Sequence, residues 1–394
     1  MSKILIVGAG QWQVPAIKRA KELGYQVIVT DKNPEAPGFE FADAYSVIDT
    51  TNKEENYLFA KKNNIEGVMT AATDYAVPSV AYISEKMGLI GPSFSAALLC
   101  NNKYQARKKL TEKKLSSIAY GRINSYEEAD RLSKIIEWPV IIKPVDSCGS
   151  KQVMLTSNAD EMKSSALNAM AASRIREAVY EEVINGKEFS VEGLVYNKKI
   201  FIAAITEKEV TAAPYFVEIG HIVPADVQNS TQRNIQKFIE KVVSAIGIDY
   251  SAFHIEIKIS ENSINIVEIG CRLGGGTITS DLIPLATGID LLGETIKMAM
   301  GETPEVKKRH DKCAVVSFFK TKDGILQSVS GIEEAYSMSG LEKIVLNAKK
   351  GSNVFSLKSS DDRIGYIICC RDRRAEAVAC CEKAMNHIKI EIIQ

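Results

Sequence analysis

The chain has 394 residues, 45% of them hydrophobic, and its 49 basic side chains balance 49 acidic ones. At about 100–200 residues per domain that length covers several structural units, and the apolar content excludes a disordered chain. Neutrality removes the basic footprint that nucleic acid or an anionic membrane would call for, and no apolar run approaches the ~18 residues of a membrane span.

The amino terminus runs MSKILIVGAG directly into a strand, with no secretory h-region and cleavage site ahead of it. KILIVGA (3–9) reads as a buried parallel strand. A helix over 14–23 stops at Gly24, YQVIVTD (25–31) is a second strand, 54–63 is helical, and IEGVMTA (65–71) is a third strand. Strands alternating with helices at this spacing predict a doubly wound α/β sheet. Gly8, Gly10, Gln13 and Asp31 nearly spell a dinucleotide fingerprint. The third glycine is missing, which favours a structural turn over nicotinamide binding.

The pattern changes after Gly91-Pro92-Ser93. A helix follows that carries Lys103, Arg107 and Lys108, and 125–136 forms another. WPVIIKP (138–144) is a strand with one lysine, Lys143, inside it. Such a lysine either snorkels to water or meets an anion. The small polar stretch DSCGSKQ (146–152) is a loop whose glycine and hydroxyls can fold over phosphates. A helix over 159–171 leads to VYEEVINGKEFSVEGLVY (179–196), a strand–turn–strand.

FHIEIKI (253–259) and SINIVEIG (263–270) flank a polar turn. With the turn around Asn262, Glu256 stands opposite Glu268, on one face of the sheet. Opposed carboxylates repel unless something positive lies between them. A divalent ion with few protein ligands, such as Mg2+, answers that need, and two acids on a solvated face are the plainer alternative. Arg272 and Gly274 to Gly276 follow at once. Strands over 313–320 and 364–370 and a helix over 374–388 complete the chain. The eight cysteines form no C-x-x-C pair and have no partner histidines at zinc spacing. They read as reduced core thiols, which points to the cytoplasm.

Taken in order, NKYQARKKL, PVIIKP, the Gly/Ser loop, EEVINGKEFSVEG, HIEIKI and VEIGCRLGGG resemble the ATP-grasp superfamily. PYFVEIGHIVP (214–224) and DDRIGYIICC (361–370) look like its carboxylate–amine ligases of the L-amino-acid ligase branch. The resemblance implies a Rossmann-like domain over 1–92 that binds no nicotinamide. It implies a two-part α+β ATP-grasp domain over 93–303, with a lid at about 115–183, and a small C-terminal α+β region over 304–394. It implies an ATP-dependent ligase, a homodimer, acting on a small carboxylate and an amine, with Mg2+ as the metal and Mn2+ as the alternative ion.

Carried over by motif, the resemblance gives Lys103, Lys143 and the loop residues Ser147, Gly149 and Ser150 to the phosphates. Glu181, Glu182 and Val183 go to adenine and Glu188 to ribose. Glu256 and Glu268 become metal ligands. Lys143 and Arg272 serve the transferring phosphoryl group, while Arg272 and Gly274, Gly275 and Gly276 meet the carboxylate. Glu218 and His221 line the amine side. Two positions depart from the family pattern. Gly270 stands where an asparagine is common, which leaves one metal position to water, and Gln152 replaces a loop glycine.

Overall fold

The computed structural model describes residues 1–261 and 263–393. Strands β1 (Lys3–Val7), β2 (Gln26–Asp31), β3 (Ala44–Val47) and β4 (Gly67–Met69) form a parallel sheet in the order β3-β2-β1-β4. Strand alternation sends Ile4 and Ile6 of β1 to one core, shared with Ala16 and Ile17 of the first helix. Leu5 and Val7 go to another, shared with Ala60, Val80 and Ile83. Burial on both faces is why β1 reads as an unbroken apolar run.

The turn after β1 is held by its own side chains. Gly8 has φ +103°, and the Gln13 side chain packs against Gly8 and Gly10 while its Nε2 donates to the Ala71 carbonyl at 2.6 Å. Asp31 accepts from the Ala9 and Asn33 amides, so its carboxylate is engaged locally.

Strands β5 (Tyr120–Ile123), β6 (Val140–Pro144), β7 (Met154–Thr156) and β8 (Ala178–Glu182) make an antiparallel sheet in the order β5-β8-β6-β7. Helices Tyr126–Ser133 and Ala159–Ala172 close its apolar side through Ala129, Met162 and Ala166, packed with Ile123 and Ile142. The first of these helices is shorter than the sequence suggests. It ends at Ser133, and residues 134–139 lead into β6 without helical structure.

Beyond it run β9 (Lys187–Tyr196), β10 (Lys199–Val210), β11 (Glu218–Val223), β12 (Ser251–Ile259) and β13 (Ile264–Gly270). The tail adds β14 (Cys313–Phe318), β15 (Gly324–Ser330), β16 (Leu341–Leu346), β17 (Asn353–Val354), β18 (Gly365–Arg371) and β19 (Lys389–Ile393). Eight of these form one sheet in the order β13-β12-β9-β10-β11-β14-β18-β16, which therefore continues from the central strands into the C-terminal region. Helix Asn229–Ile246 lays Ile235, Ile239, Val242, Val243 and Ile246 against it, a stripe at helical spacing. The expected turn at Asn262 lies outside the described residues, but the register of the strands on either side is fixed. All eight cysteines are free thiols, seven of them buried.

Candidate active site

In the hairpin β12/β13, Glu256 pairs directly with Glu268, and the register shifts just after Glu256. Both side chains line one cavity between the β5–β8 sheet and the large sheet. Each already faces a positive group. Lys103, at the start of its helix, places Nζ 2.9 Å from Glu268 Oε1. Lys208, on β10, places Nζ 2.8 Å from Glu256 Oε1. Among the described residues no group of three or more His, Cys, Asp or Glu side chains is arranged to hold a metal ion. Two carboxylates that require positive charge, with water or phosphate completing the shell, fit Mg2+ better than a metal needing an all-protein cage.

Lys208 is the most enclosed cation of the site, its side chain 2% exposed. Besides Glu256 it meets Glu188 at 2.9 Å and Glu218 at 2.8 Å. Burial alone would lower its pKa, but the three carboxylates raise it well above the usual lysine value. His254 Nε2 lies 3.2 Å from Glu256, and its Nδ1 2.9 Å from the buried Glu192, which also accepts from Thr206 Oγ1. Burial opposes a charged imidazole; the bonds to Glu192 and Glu256 prevail and lift its pKa to about 9. Glu256 is correspondingly held well below the carboxylate range, against burial, by Lys208 and His254.

The lysine inside β6 has its anion. Lys143 Nζ is 2.7 Å from Glu181 Oε2, and Arg107 Nε is 2.9 Å from Glu181 Oε1. Burial would raise the Glu181 pKa, but Lys143 and Arg107 bring it down to about 2. The side chain that the sequence reading turns toward adenine is thus an internal anchor for two cations. Strand alternation puts Glu182 on the opposite face, where it accepts from the Ala119 amide. Glu182, Val183 and Glu188 all line the cavity.

Arg272 is clamped by Asp74 through Nε at 3.0 Å and Nη2 at 2.8 Å. Asp74 comes from the loop after β4, so the first sheet reaches into the site. A Cβ on Gly270 would stand 3.2 Å from Asp74 Oδ1 and 3.3 Å from Arg272 Nε. The departure at Gly270 therefore makes room for this ion pair. Gly275 and Gly276 line the cavity, whereas Gly274 is turned away against His254 and Thr279. Gly276 has φ +59°, a conformation suited to glycine, and a Cβ there would meet His221 Nε2 at 3.1 Å.

Glu218 and His221 stand together at the far end. Glu218 Oε2 accepts from Arg363 Nη2 at 2.8 Å, and that guanidinium lies 4.0 Å over the Phe318 ring. His221 is fully buried, neither ring nitrogen has a hydrogen-bond partner among the described residues, and burial lowers its pKa to about 4. Ser147, Gly149 and Ser150 line the cavity too. Their loop is tied to both sides: Lys103 Nζ donates to the Ser147 carbonyl, Ser360 donates to the Gly149 carbonyl, and Lys151 pairs with Asp361 at 2.7 Å.

One cavity thus gathers every expected site residue except Gly274. Asp74, Lys208, His254 and Arg363 were not foreseen. Lys208 had a signal, a lysine inside the strand-like ITEKEV (205–210), of the same kind as Lys143. Arg363 stands within the quoted stretch DDRIGYIICC but was given no role there, and Asp74 had no signal; their partners lie 145 and 198 residues away.

Residues 136–281 match the family model for the ATP-grasp domain, and residues 317–392 that for the L-amino acid ligase C-terminal domain 2. An uncharacterized protein of Sinorhizobium fredii, y4rH, is 25% identical over 390 residues, 96% of this chain and 80% of that protein. The formate-dependent phosphoribosylglycinamide formyltransferase of Sulfurisphaera tokodaii is 24% identical over 351 residues, 86% of each chain. Among solved structures, the L-amino acid ligase from Bacillus licheniformis has the same fold at 19% identity, with a TM-score of 0.87 over 100% of this chain and 99% of that one.

Proposed function

From the matches to the models for the ATP-grasp domain and the L-amino acid ligase C-terminal domain 2, we propose that the chain is an ATP-grasp carboxylate–amine ligase, which transfers the γ-phosphoryl group of ATP to a small carboxylic acid, an amino acid, and joins the resulting acyl-phosphate to an amine. The observation that carries this reading is the single cavity in which Lys103, Lys143, the Glu256–Glu268 pair, Arg272 and the glycine turn converge. A free carboxylate resists amide formation because oxide is a poor leaving group. Phosphorylation replaces oxide by phosphate.

In this reading Lys103 and Lys143 bind the phosphates under the loop at Ser147, Gly149 and Ser150. Glu182 and Val183 border the adenine and Glu188 the ribose. Glu256 and Glu268 hold Mg2+, which when bound supplies charge neutralisation at the phosphate oxygens. The substrate carboxylate attacks the γ-phosphorus, the bond to the bridging oxygen breaks, and ADP departs. Arg272, fixed by Asp74, is set to balance charge on the transferring group. Gly275 and Gly276 admit the carboxylate close to the backbone. An amine then attacks the acyl carbon, loses a proton and expels phosphate. Glu218 and the neutral His221 border the amine. The tethered loop keeps water from the mixed anhydride.

An ADP-release screen over pairs of amino acids, with mass detection of the condensed product, tests the proposal. ADP and a product lighter by one water than the summed substrates are expected. Formation of AMP and pyrophosphate with every active pair refutes it. The similarity to the formate-dependent formyltransferase favours a second reading, a phosphoribosyl amine as acceptor. ADP release that depends on such an amine, and on no amino-acid pair, would select it.

A further inference from the structure

Lys208 has no place in the reading so far, yet it is the most enclosed cation in the cavity. An ammonium group has three protons to donate, and here three carboxylates take them: Glu188 from β9, Glu218 from β11 and Glu256 from β12. These acids border the proposed ribose, amine and metal positions in turn. At the other proposed metal ligand, Glu268, the partner is Lys103. The need for positive charge between the opposed acids is therefore met within the chain itself.

Resting on the metal-ligand reading of Glu256 and Glu268, we propose that Lys208 is a resident counter-ion that closes the metal position to a free divalent ion, so that metal enters only together with nucleotide. A free ion approaching Glu256 must displace Lys208 from Oε1 and then remain beside its charge. Two like charges at contact distance in a partly desolvated site repel strongly. A nucleotide arrives with phosphate oxygens that supply new acceptors for the displaced ammonium, and its negative charge offsets the added cation. Lys208 also touches Glu188 and Glu218, so it has carboxylates to retain when it releases Glu256. The ammonium can thus shift between partners without becoming an unpaired buried charge, the state that would otherwise forbid its movement.

The test is a Mn2+ titration followed by electron paramagnetic resonance, with Mn2+ alone and with Mn2+ plus a non-hydrolysable ATP analogue. The wild-type protein should bind Mn2+ weakly alone and at least about tenfold more tightly with the analogue. Lys208→Met should bind Mn2+ alone at least about tenfold more tightly than the wild type. Because the single variant leaves three carboxylates crowded together, Lys208→Met/Glu218→Gln is titrated alongside Glu218→Gln. The pair removes the ammonium at reduced negative charge, and the double variant should bind free Mn2+ more tightly than Glu218→Gln. Equal or weaker binding of free Mn2+ on removing the ammonium overturns the proposal while leaving the metal ligands standing. If the wild type binds no Mn2+ even with the analogue, the metal-ligand reading falls, and the inference with it.

Discussion

Glu181→Gln keeps the size of the side chain and removes the charge shared by Lys143 and Arg107. Those side chains are 6% and 3% exposed, so neither cation can turn to water. The folded carboxylate titrates near 2 against an ordinary 4.5. That difference corresponds to about 3 kcal/mol of stability at neutral pH. Removing one partner of a buried ion pair generally costs ~3–5 kcal/mol, in agreement. The sign follows from a folded value below the unfolded one: the contribution is complete above about 4.5 and is lost as pH falls through about 2. Urea unfolding followed by tryptophan fluorescence should place the variant about 3 kcal/mol below the wild type at pH 7, with the gap about 1 kcal/mol smaller at pH 4. Equal stability of the two proteins at pH 7 would refute the anchoring role. A gap of the same size at both pH values would refute the charge as its cause.

Glu268→Gln should remove most ADP release, by about 100-fold or more, with near-ultraviolet circular dichroism unchanged; a wild-type rate at saturating Mg2+ would show that Glu268 is no metal ligand. Lys143→Met should weaken binding of an ATP analogue by about tenfold or more in calorimetry, since it removes a charged phosphate partner. Asp74→Asn unclamps Arg272 without removing it, so kcat should fall by about 10- to 100-fold with little change in the Kd for ATP. A change confined to ATP affinity would place that pair on the nucleotide instead.

What could be read ahead of the structure was what is encoded over short distances. β1 and the two strands of the acidic hairpin are apolar runs whose period and length identify them. Their register puts Glu256 opposite Glu268 once the turn is placed within a residue or two. β10 and β11 escaped notice although they carry Lys208, Glu218 and His221 into the site, as did helix Asn229–Ile246, which packs in the apolar core. β10 mixes ITEKEV with apolar residues because one of its faces lines a charged cavity, which erases the clean alternation that marks a half-buried strand. The site divides in the same way. Motif residues were found because they lie in short patterns. Asp74, Lys208 and Arg363 act through partners brought near only by sheet order, and nothing adjacent to them in the chain announces those partners.

The ion pairs, two of them made with residues that were missed, change how the found residues work. Without them, Lys143 and Arg272 are cations awaiting phosphate, and Glu256 and Glu268 are anions awaiting metal. With them, each of these groups is already paired: Lys143 with Glu181, Arg272 with Asp74, Glu256 with Lys208, Glu268 with Lys103. In the proposed reading, nucleotide and metal must therefore enter by exchanging partners, and their affinity is the difference between two sets of ion pairs. Partner exchange favours ligands that bring both signs at once, since each lysine released from a carboxylate then finds a phosphate and each carboxylate a metal. A triphosphate without metal would leave Glu256 and Glu268 uncompensated as it drew the lysines away, and a metal without triphosphate would strand the lysines. The internal pairing is thus itself a physical reason for nucleotide and divalent ion to bind as one unit.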